Sequence, residues 1–328
     1  MEYLTNSDGK AYCIVRGTDI TESRQRLIDT MNFYFGEQLV KSVITRIVIV
    51  CGDITQLELG LSNELYQRLI NEIEAVYHSA ADVRHFTRYE DSYAVNVLGT
   101  RNMIDLCKAA SVTLHHMSTI SVSGIGMCSQ TQENIIFNEQ SFDIGQNYSE
   151  NTYIHTKYLA EDIIYDAVEK GLSASIYRLG NISERHSDGV FQKNSDSNAF
   201  YIREMAIKKL NAISEFFRNV LIDKSYVDEC ATAIFALSKR SSCGVYHISN
   251  PNLVSLYDYF VKKYPEIRVL DNDAFLKLPS EAAKTDSPCA ILQVYLNMML
   301  NSSKHHMEVS CWNTVDILKN EYSFEWSK

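Results

Sequence analysis

Short β-branched runs alternate with longer stretches of helical period through the first half of the chain. Residues 11–16 (AYCIVR), 46–51 (RIVIVC), 75–79 (AVYHS), 113–118 and 173–178 read as strands. Between them the apolar positions recur every three to four residues, as one face of a helix requires. Helices are predicted from a Thr18-Asp19 cap through Arg24, Arg26, Leu27, Ile28 and Met31, and over 61–73, 91–110 and 152–170. Strand, helix, strand at this spacing implies right-handed βαβ units, hence a doubly wound α/β core with a parallel sheet. After Asn181 the pattern changes. Residues 182–222 are polar and then helical, short returns follow at 226–228 and 245–249, and 251–328 reads as short helices with one strand at 267–270. The expected division is a core of 1–181 with 223–250, and a smaller, mostly helical lobe of 182–222 with 251–328.

Composition narrows the class. The 328 residues are 45 % apolar and 22 % charged, as in a globular protein with a sizeable core. With Gly 13 and Pro 4, linker-rich and low-complexity readings are out. The net charge of −10 argues against a nucleic-acid binder, which needs a basic face. No apolar run is long enough to span a bilayer, and the opening MEYLTN lacks the basic and apolar regions of a signal peptide. The eight cysteines are scattered without metal-ligand spacing, which suits a reduced, cytoplasmic protein.

Ligands of doubly wound sheets bind at the carboxyl ends of the strands, so the residues just after each strand carry the chemical interest. Ser118-Thr119 ends one strand, and Tyr153 and Lys157 follow on the next helix. Tyrosine and lysine four apart lie on one helix face. An ammonium beside a phenol lowers its pKa from about 10, fitting it for acid catalysis at neutral pH. The Thr119 hydroxyl suits the same carbonyl, and the set suits hydride reduction. Spacing by itself means little. Twenty tyrosines and 17 lysines give about one such pair by chance, and a second exists, Tyr259/Lys263, read as a solvated helix face. Arg16 ends the first strand where an arginine suits a ribose 2′-phosphate, and Arg26 is placed to reach the same group. Asp53, with Ile54 beside it, is a candidate for adenine N6 or a helix cap. Ser79, Ala80 and Ala81 are small enough for close cofactor approach. Asn96 reads as a structural tie between strand ends.

The stretches VCGDIT (50–55), VYHSAADV (76–83), MSTISVSG (117–124), YIHTKYLAE (153–161) and IYRLGNIS (176–183) resemble extended short-chain dehydrogenases/reductases. Within that group the chain is most similar to the terminal thioester reductase domains of non-ribosomal peptide synthetases. The resemblance spans most of 11–251. It implies a Rossmann-like fold and NADPH as cofactor. It also implies a phosphopantetheinylated carrier domain, bearing an acyl or peptidyl thioester, as partner. Hydride addition with Thr119 and Tyr153 at the oxygen would give an aldehyde or, after a second reduction, an alcohol. Lys157 would bond the nicotinamide ribose and tune Tyr153, and Leu179, Gly180 and Asn181 would offer backbone to the carboxamide. Two other readings stay open: another extended family member such as a nucleotide-sugar epimerase or dehydratase, and a non-catalytic Rossmann-type binding module. A monomeric domain of a larger synthetase is the expected setting, with Arg203, Lys208 and Lys209 as a basic candidate face for an acidic carrier.

The family opens with a strand and a Gly-rich phosphate loop before the strand that here begins at Ala11. No G-x-x-G-x-x-G occurs in the sequence; Gly124-Ile125-Gly126 is nearest and belongs to the loop after Thr119. Residues 1–10 read as the tail of the first helix. The expectation is a sheet without its central strand, or a gap filled by 1–10, another chain or a rearranged segment, and poor NADPH binding by residues 1–328 in isolation.

Overall fold

The computed structural model describes residues 1–84, 87–124, 127, 135–195, 198–302 and 307–328. Ile125 and Gly126 of the glycine pair noted above, and one of the eight cysteines, Cys128, lie outside them. Along the chain come α1 (Glu2–Asn6), β1 (Ala11–Val15), α2 (Ile20–Phe35), α3 (Glu37–Val43), β2 (Ile47–Cys51), α4 (Asn63–Glu72) and β3 (Ala75–His78). Then follow α5 (Tyr89–Tyr93), α6 (Gly99–Ala110), β4 (Thr113–Thr119), β5 (Ile135–Phe137), α7 (Thr152–Glu169), β6 (Ala174–Leu179) and β7 (Ile182–Ser183). The remainder is α8 (Ala199–Leu210), β8 (Ala212–Ser214), β9 (Leu221–Ile222), β10 (Ser225–Tyr226), α9 (Val227–Leu237), β11 (Val245–Ile248), β12 (Val254–Ser255) and α10 (Leu256–Lys263). It closes with β13 (Arg268–Leu270), α11 (Asn272–Ala282), α12 (Ser287–Ser302), β14 (Met307–Val309) and α13 (Trp312–Tyr322).

The chain divides into two compact units. The first comprises Met1–Ser118, His155–Tyr177 and Ala231–Val245. Its strands show the two-residue period directly. In β1, Tyr12 and Ile14 pack with Val50, Leu69 and Leu114, whereas Ala11, Cys13 and Val15 pack with Ile47, Ile49, Met31 and Val40. β2 sends Val50 to the first cluster and Ile47 and Ile49 to the second, so this strand is covered on both faces. α2 begins where its sequence places a cap, with the Asp19 side chain accepting from Glu22 N at 2.7 Å. The helix expected over 91–110 is instead interrupted. Ala94–Leu98 forms a π-turn between α5 and α6, which turns Asn96 inward. Gly99 opens α6 because a Cβ there would come within 2.7 Å of the Ile54 side chain.

β1 pairs only with β2, in parallel, from Ala11↔Ile47 to Val15↔Cys51. β3 pairs in parallel with β4, Ala75↔Thr113 to His78↔His116, within a separate four-stranded sheet of order β11-β6-β4-β3. Among the described residues no strand takes the second edge of β1 or of β3. Residues 1–10 do not fill that place. They carry α1, whose Leu4 packs with Met31 and Val40 and whose Tyr3 ring meets Phe235 edge-on. The Arg46 guanidinium ties this segment down by donating to the carbonyls of Leu4, Ser7 and Gly9.

The second unit comprises Thr119–Ile154, Arg178–Cys230 and Tyr246–Lys328. Its core gathers Ile207 of α8, Ile213, Phe217, Phe260 of α10, Phe275 of α11 and Leu292 and Leu296 of α12. β8 and β13 run parallel beside this core, Ala212↔Arg268 to Ser214↔Leu270. The single strand expected after residue 251 is thus joined by two others. β12 pairs antiparallel with β9, and β14 pairs parallel with β5. Strands of two or three residues are too short to show a period in the sequence.

Candidate active site

In the first unit the residues after β1 and β2 come together. Arg16 and Asp53 form an ion pair of 3.3 Å, and Arg26 donates to the Arg16 carbonyl. Asp53 caps no helix. Its carboxylate takes the Thr55 N–H at 2.9 Å and the Thr55 hydroxyl at 2.8 Å, closing an Asx turn. Burial works against the charge on Asp53, but the two Thr55 bonds and Arg16 outweigh it and hold the carboxyl below its ordinary range. The Arg16 side chain is 65 % exposed, so the pair is a weak, solvent-screened one that a stronger anion can displace. Ile54 is buried, and Asn102 donates to its carbonyl at 2.7 Å. Ser79 and Ala80 lie exposed just past β3, with Ala81 half-buried. Asn96 ties the segment after β3 to a helix instead of joining two strand ends: it binds both backbone groups of Asp82 and donates to the Thr156 hydroxyl of α7 at 2.9 Å.

Lys157 of α7 is buried among groups that sequence reasoning does not single out. Its Nζ donates to the Met117 carbonyl at 2.8 Å and lies 3.1 Å from His116 Nε2, both on β4. Burial lowers its pKa to about 8, against the pull of the Glu161 carboxylate one turn on. Glu161 in turn accepts from the Ser118 hydroxyl at 2.5 Å. His78 of β3 sits beside His116, with ring centroids 5.2 Å apart, and its Nε2 meets the Thr100 hydroxyl at 3.0 Å. Both imidazoles are held neutral by burial and by the Lys157 charge. The sequence does carry a signal, two histidines in a buried strand before Ser118-Thr119, but it reads equally as core filler.

In the second unit Thr119 ends β4 and accepts from Ser121 N at 3.2 Å. Its hydroxyl also hydrogen-bonds Tyr153. The phenol departs from expectation. Burial raises its pKa to about 12, the Thr119 bond pulls the other way, and Tyr295 adds to the rise. Tyr153 is therefore a fully protonated donor at neutral pH. Past β6, Gly180 N donates to Ile248 O at 3.0 Å, while Asn181 gives its N–H and its side-chain amide to Asp223 at 2.8 and 2.6 Å. A Cβ on Gly180 would run into the Asp223 carboxylate, so only glycine permits this approach. Leu179 is half-buried beside it. Asp223 escapes sequence reasoning because it lies 42 residues from its partner. Arg178, fully buried, donates to Ser141 O at 2.8 Å and sits over the Phe137 ring.

Two other expectations change. Tyr259 and Lys263 are more than a solvated face: Lys263 is exposed, but its ammonium meets the half-buried Tyr259 hydroxyl at 2.8 Å, and both bind the buried Glu204. Arg203, Lys208 and Lys209 do not form one basic spot. Arg203 packs 4.0 Å over the Tyr295 ring, Lys209 is paired with Asp286, and Lys208 remains exposed near Tyr264.

The fold and this Tyr-x-x-x-Lys helix define an extended short-chain dehydrogenase/reductase. Residues 2–234 match a nicotinamide-dinucleotide-binding family model described as male sterility protein, and the chain belongs to that family. Over its whole length it is similar to the thiolation-reductase di-domain of an archaeal non-ribosomal peptide synthetase. That match is 32 % identical, has a TM-score of 0.85 and covers 68 % of that chain. The terminal R domain of the myxalamid PKS-NRPS pathway matches at 28 % identity and a TM-score of 0.83, covering all of this chain and 83 % of that one. A linear gramicidin synthase of Brevibacillus parabrevis is 26 % identical over 289 residues, 86 % of this chain. The chain spans only 6 % of that synthase's length. Among the described residues no helix is long and apolar enough to cross a membrane.

Proposed function

We propose that this chain reduces an acyl or peptidyl thioester, carried on the phosphopantetheine arm of a carrier domain, to an aldehyde and a free thiol with NADPH. The observation that carries the reading is the Thr119–Tyr153 hydroxyl pair at the end of β4, with Lys157 one turn further along α7. The relatives that are domains of peptide and polyketide synthetases support the substrate class.

We assign these residues to the two ends of the cofactor. Arg16 and Arg26 suit the 2′-phosphate, with Asp53 and Ile54 at the adenine, and Ser79, Ala80 and Ala81 leave room for close approach. At the other end Lys157 keeps one N–H beyond the two spent on β4, free among the described residues to bond the nicotinamide ribose. The backbone of Leu179, Gly180 and Asn181, fixed by Asp223, suits the carboxamide.

The bound cofactor supplies a hydride to the thioester carbon. The Thr119 hydroxyl holds the carbonyl oxygen, and Tyr153 gives it a proton as negative charge develops there. A phenol with a pKa of about 12 is present as the acid at neutral pH, and the Thr119 bond eases its ionisation. The hemithioacetal then breaks its C–S bond, its hydroxyl proton passing to the departing thiolate. The test is product analysis with the native protein, an acyl-pantetheine thioester and NADPH. Aldehyde and thiol should form in equal amounts, each matched by one NADPH oxidised; carboxylic acid, or no NADPH consumption, would refute the reading.

A further inference from the structure

We propose that His116 is the positioning residue for Lys157, its Nε2 holding the ammonium at the carboxyl end of β4. The inference rests on the catalytic reading of Lys157 given above. Three observations carry it. Nζ lies 3.1 Å from His116 Nε2 and 2.8 Å from Met117 O, so two adjacent residues of one strand fix the ammonium from one side. Both side chains are almost wholly buried, His116 at 1 % and Lys157 at 2 % exposure, so water does not substitute for either bond. And His116 Nδ1 has no hydrogen-bond partner among the described residues. A histidine kept only for packing would have both nitrogens satisfied or be replaced by an apolar residue. Here Nδ1 goes unpaired while Nε2 stands against the lysine.

The neighbouring imidazoles do not share this role. His115 Nδ1 is taken by the Tyr177 hydroxyl at 3.0 Å, and His78 Nε2 by the Thr100 hydroxyl. The charged and titratable groups that face Lys157 are His116 from β4, His78 from β3 and Glu161 from α7 itself. Burial and then the Lys157 charge keep His116 neutral, so its proton sits on Nδ1 and its Nε2 lone pair accepts from Lys157. An ammonium already shifted down to about 8 by burial depends on each acceptor it has. Activity that requires the ammonium falls as pH rises through that value.

The experiment compares His116→Phe with His116→Gln in the native protein. It reads two things: the alkaline limb of kcat/KM with NADPH and an acyl-pantetheine thioester, and the titration of the Lys157 side chain by NMR with isotope-labelled lysine. Phenylalanine removes the acceptor, and both the limb and the titration should move to lower pH by about one unit, the worth of one hydrogen bond to a buried charge. Glutamine offers a carbonyl near the Nε2 position and should bring both back toward the parent values. An unmoved lysine titration in His116→Phe would overturn the proposal, and a fall in kcat with an unmoved limb would assign His116 to packing. Lys157→Met separates the two claims. If turnover survives it, the catalytic reading of Lys157 fails, while the lysine titration in His116→Phe still decides what His116 does.

Discussion

The chain carries the same four-residue spacing twice, and the two places use it in opposite ways. On α10, Tyr259 and Lys263 face each other at 2.8 Å, and a buried carboxylate, Glu204, binds both. Tyr264 adds a third bond to the same carboxylate at 2.5 Å. Burial and then the Glu204 charge raise the Tyr259 phenol far above its ordinary range, so that it can neither ionise nor release its proton. On α7, the Tyr153 hydroxyl meets a neutral hydroxyl, Thr119, while Lys157 is held by a neutral imidazole and a carbonyl. Glu161, one turn on, acts on that ammonium through its charge. A tyrosine and lysine one helical turn apart make a structural knot when an acid bonds to both. They remain chemically available when neutral acceptors hold them.

The largest expected difference between the two pairs is in turnover. Lys157→Ala should lower kcat/KM by about 10²-fold or more, since it removes the ammonium assigned to the nicotinamide ribose. Lys263→Ala, on a side chain 44 % exposed, should leave kcat/KM within about twofold and cost no more than about 1 kcal/mol of stability. Equal kinetic losses from both would dissolve the distinction.

A smaller effect is expected at the cofactor end. Arg16→Ala should weaken NADPH by about 1.5–3 kcal/mol and leave NADH almost unchanged, because only NADPH offers the 2′-phosphate. Equal weakening of both in a binding titration would make Arg16 a partner of Asp53 and nothing more.

The smallest expected effect lies on α10. Tyr259→Phe should destabilise the fold by about 1–2 kcal/mol, seen as a lower denaturant midpoint, with kcat within about twofold. A kinetic defect larger than the stability defect would place Tyr259 in the chemistry.

The strands and helices of the first unit are legible because both periods are written into them, from RIVIVC to the Asp19 cap. The break at Ala94–Leu98 is not, because a π-turn adds a residue without disturbing the apolar count enough to see. At the site, the chemistry-bearing residues after each strand can be named from position. Their electrostatics cannot, because desolvation depends on what the fold packs around a group. Spacing predicts a lowered Tyr153, and burial raises it; it predicts Tyr259 in solvent, and Glu204 binds it. Asp223 and His116 show the same limit: each acts through a contact made only once distant segments meet.

The most direct test is kcat/KM of Tyr153→Phe in the native protein with NADPH and an acyl-pantetheine thioester. The hydroxyl removed is the one assigned to deliver the proton. A loss of about 10²–10⁴-fold, with the thermal midpoint of the parent protein retained, is the expected result. Turnover within a few-fold of the parent would contradict the assignment of Tyr153 as the acid and, with it, the contrast between α7 and α10.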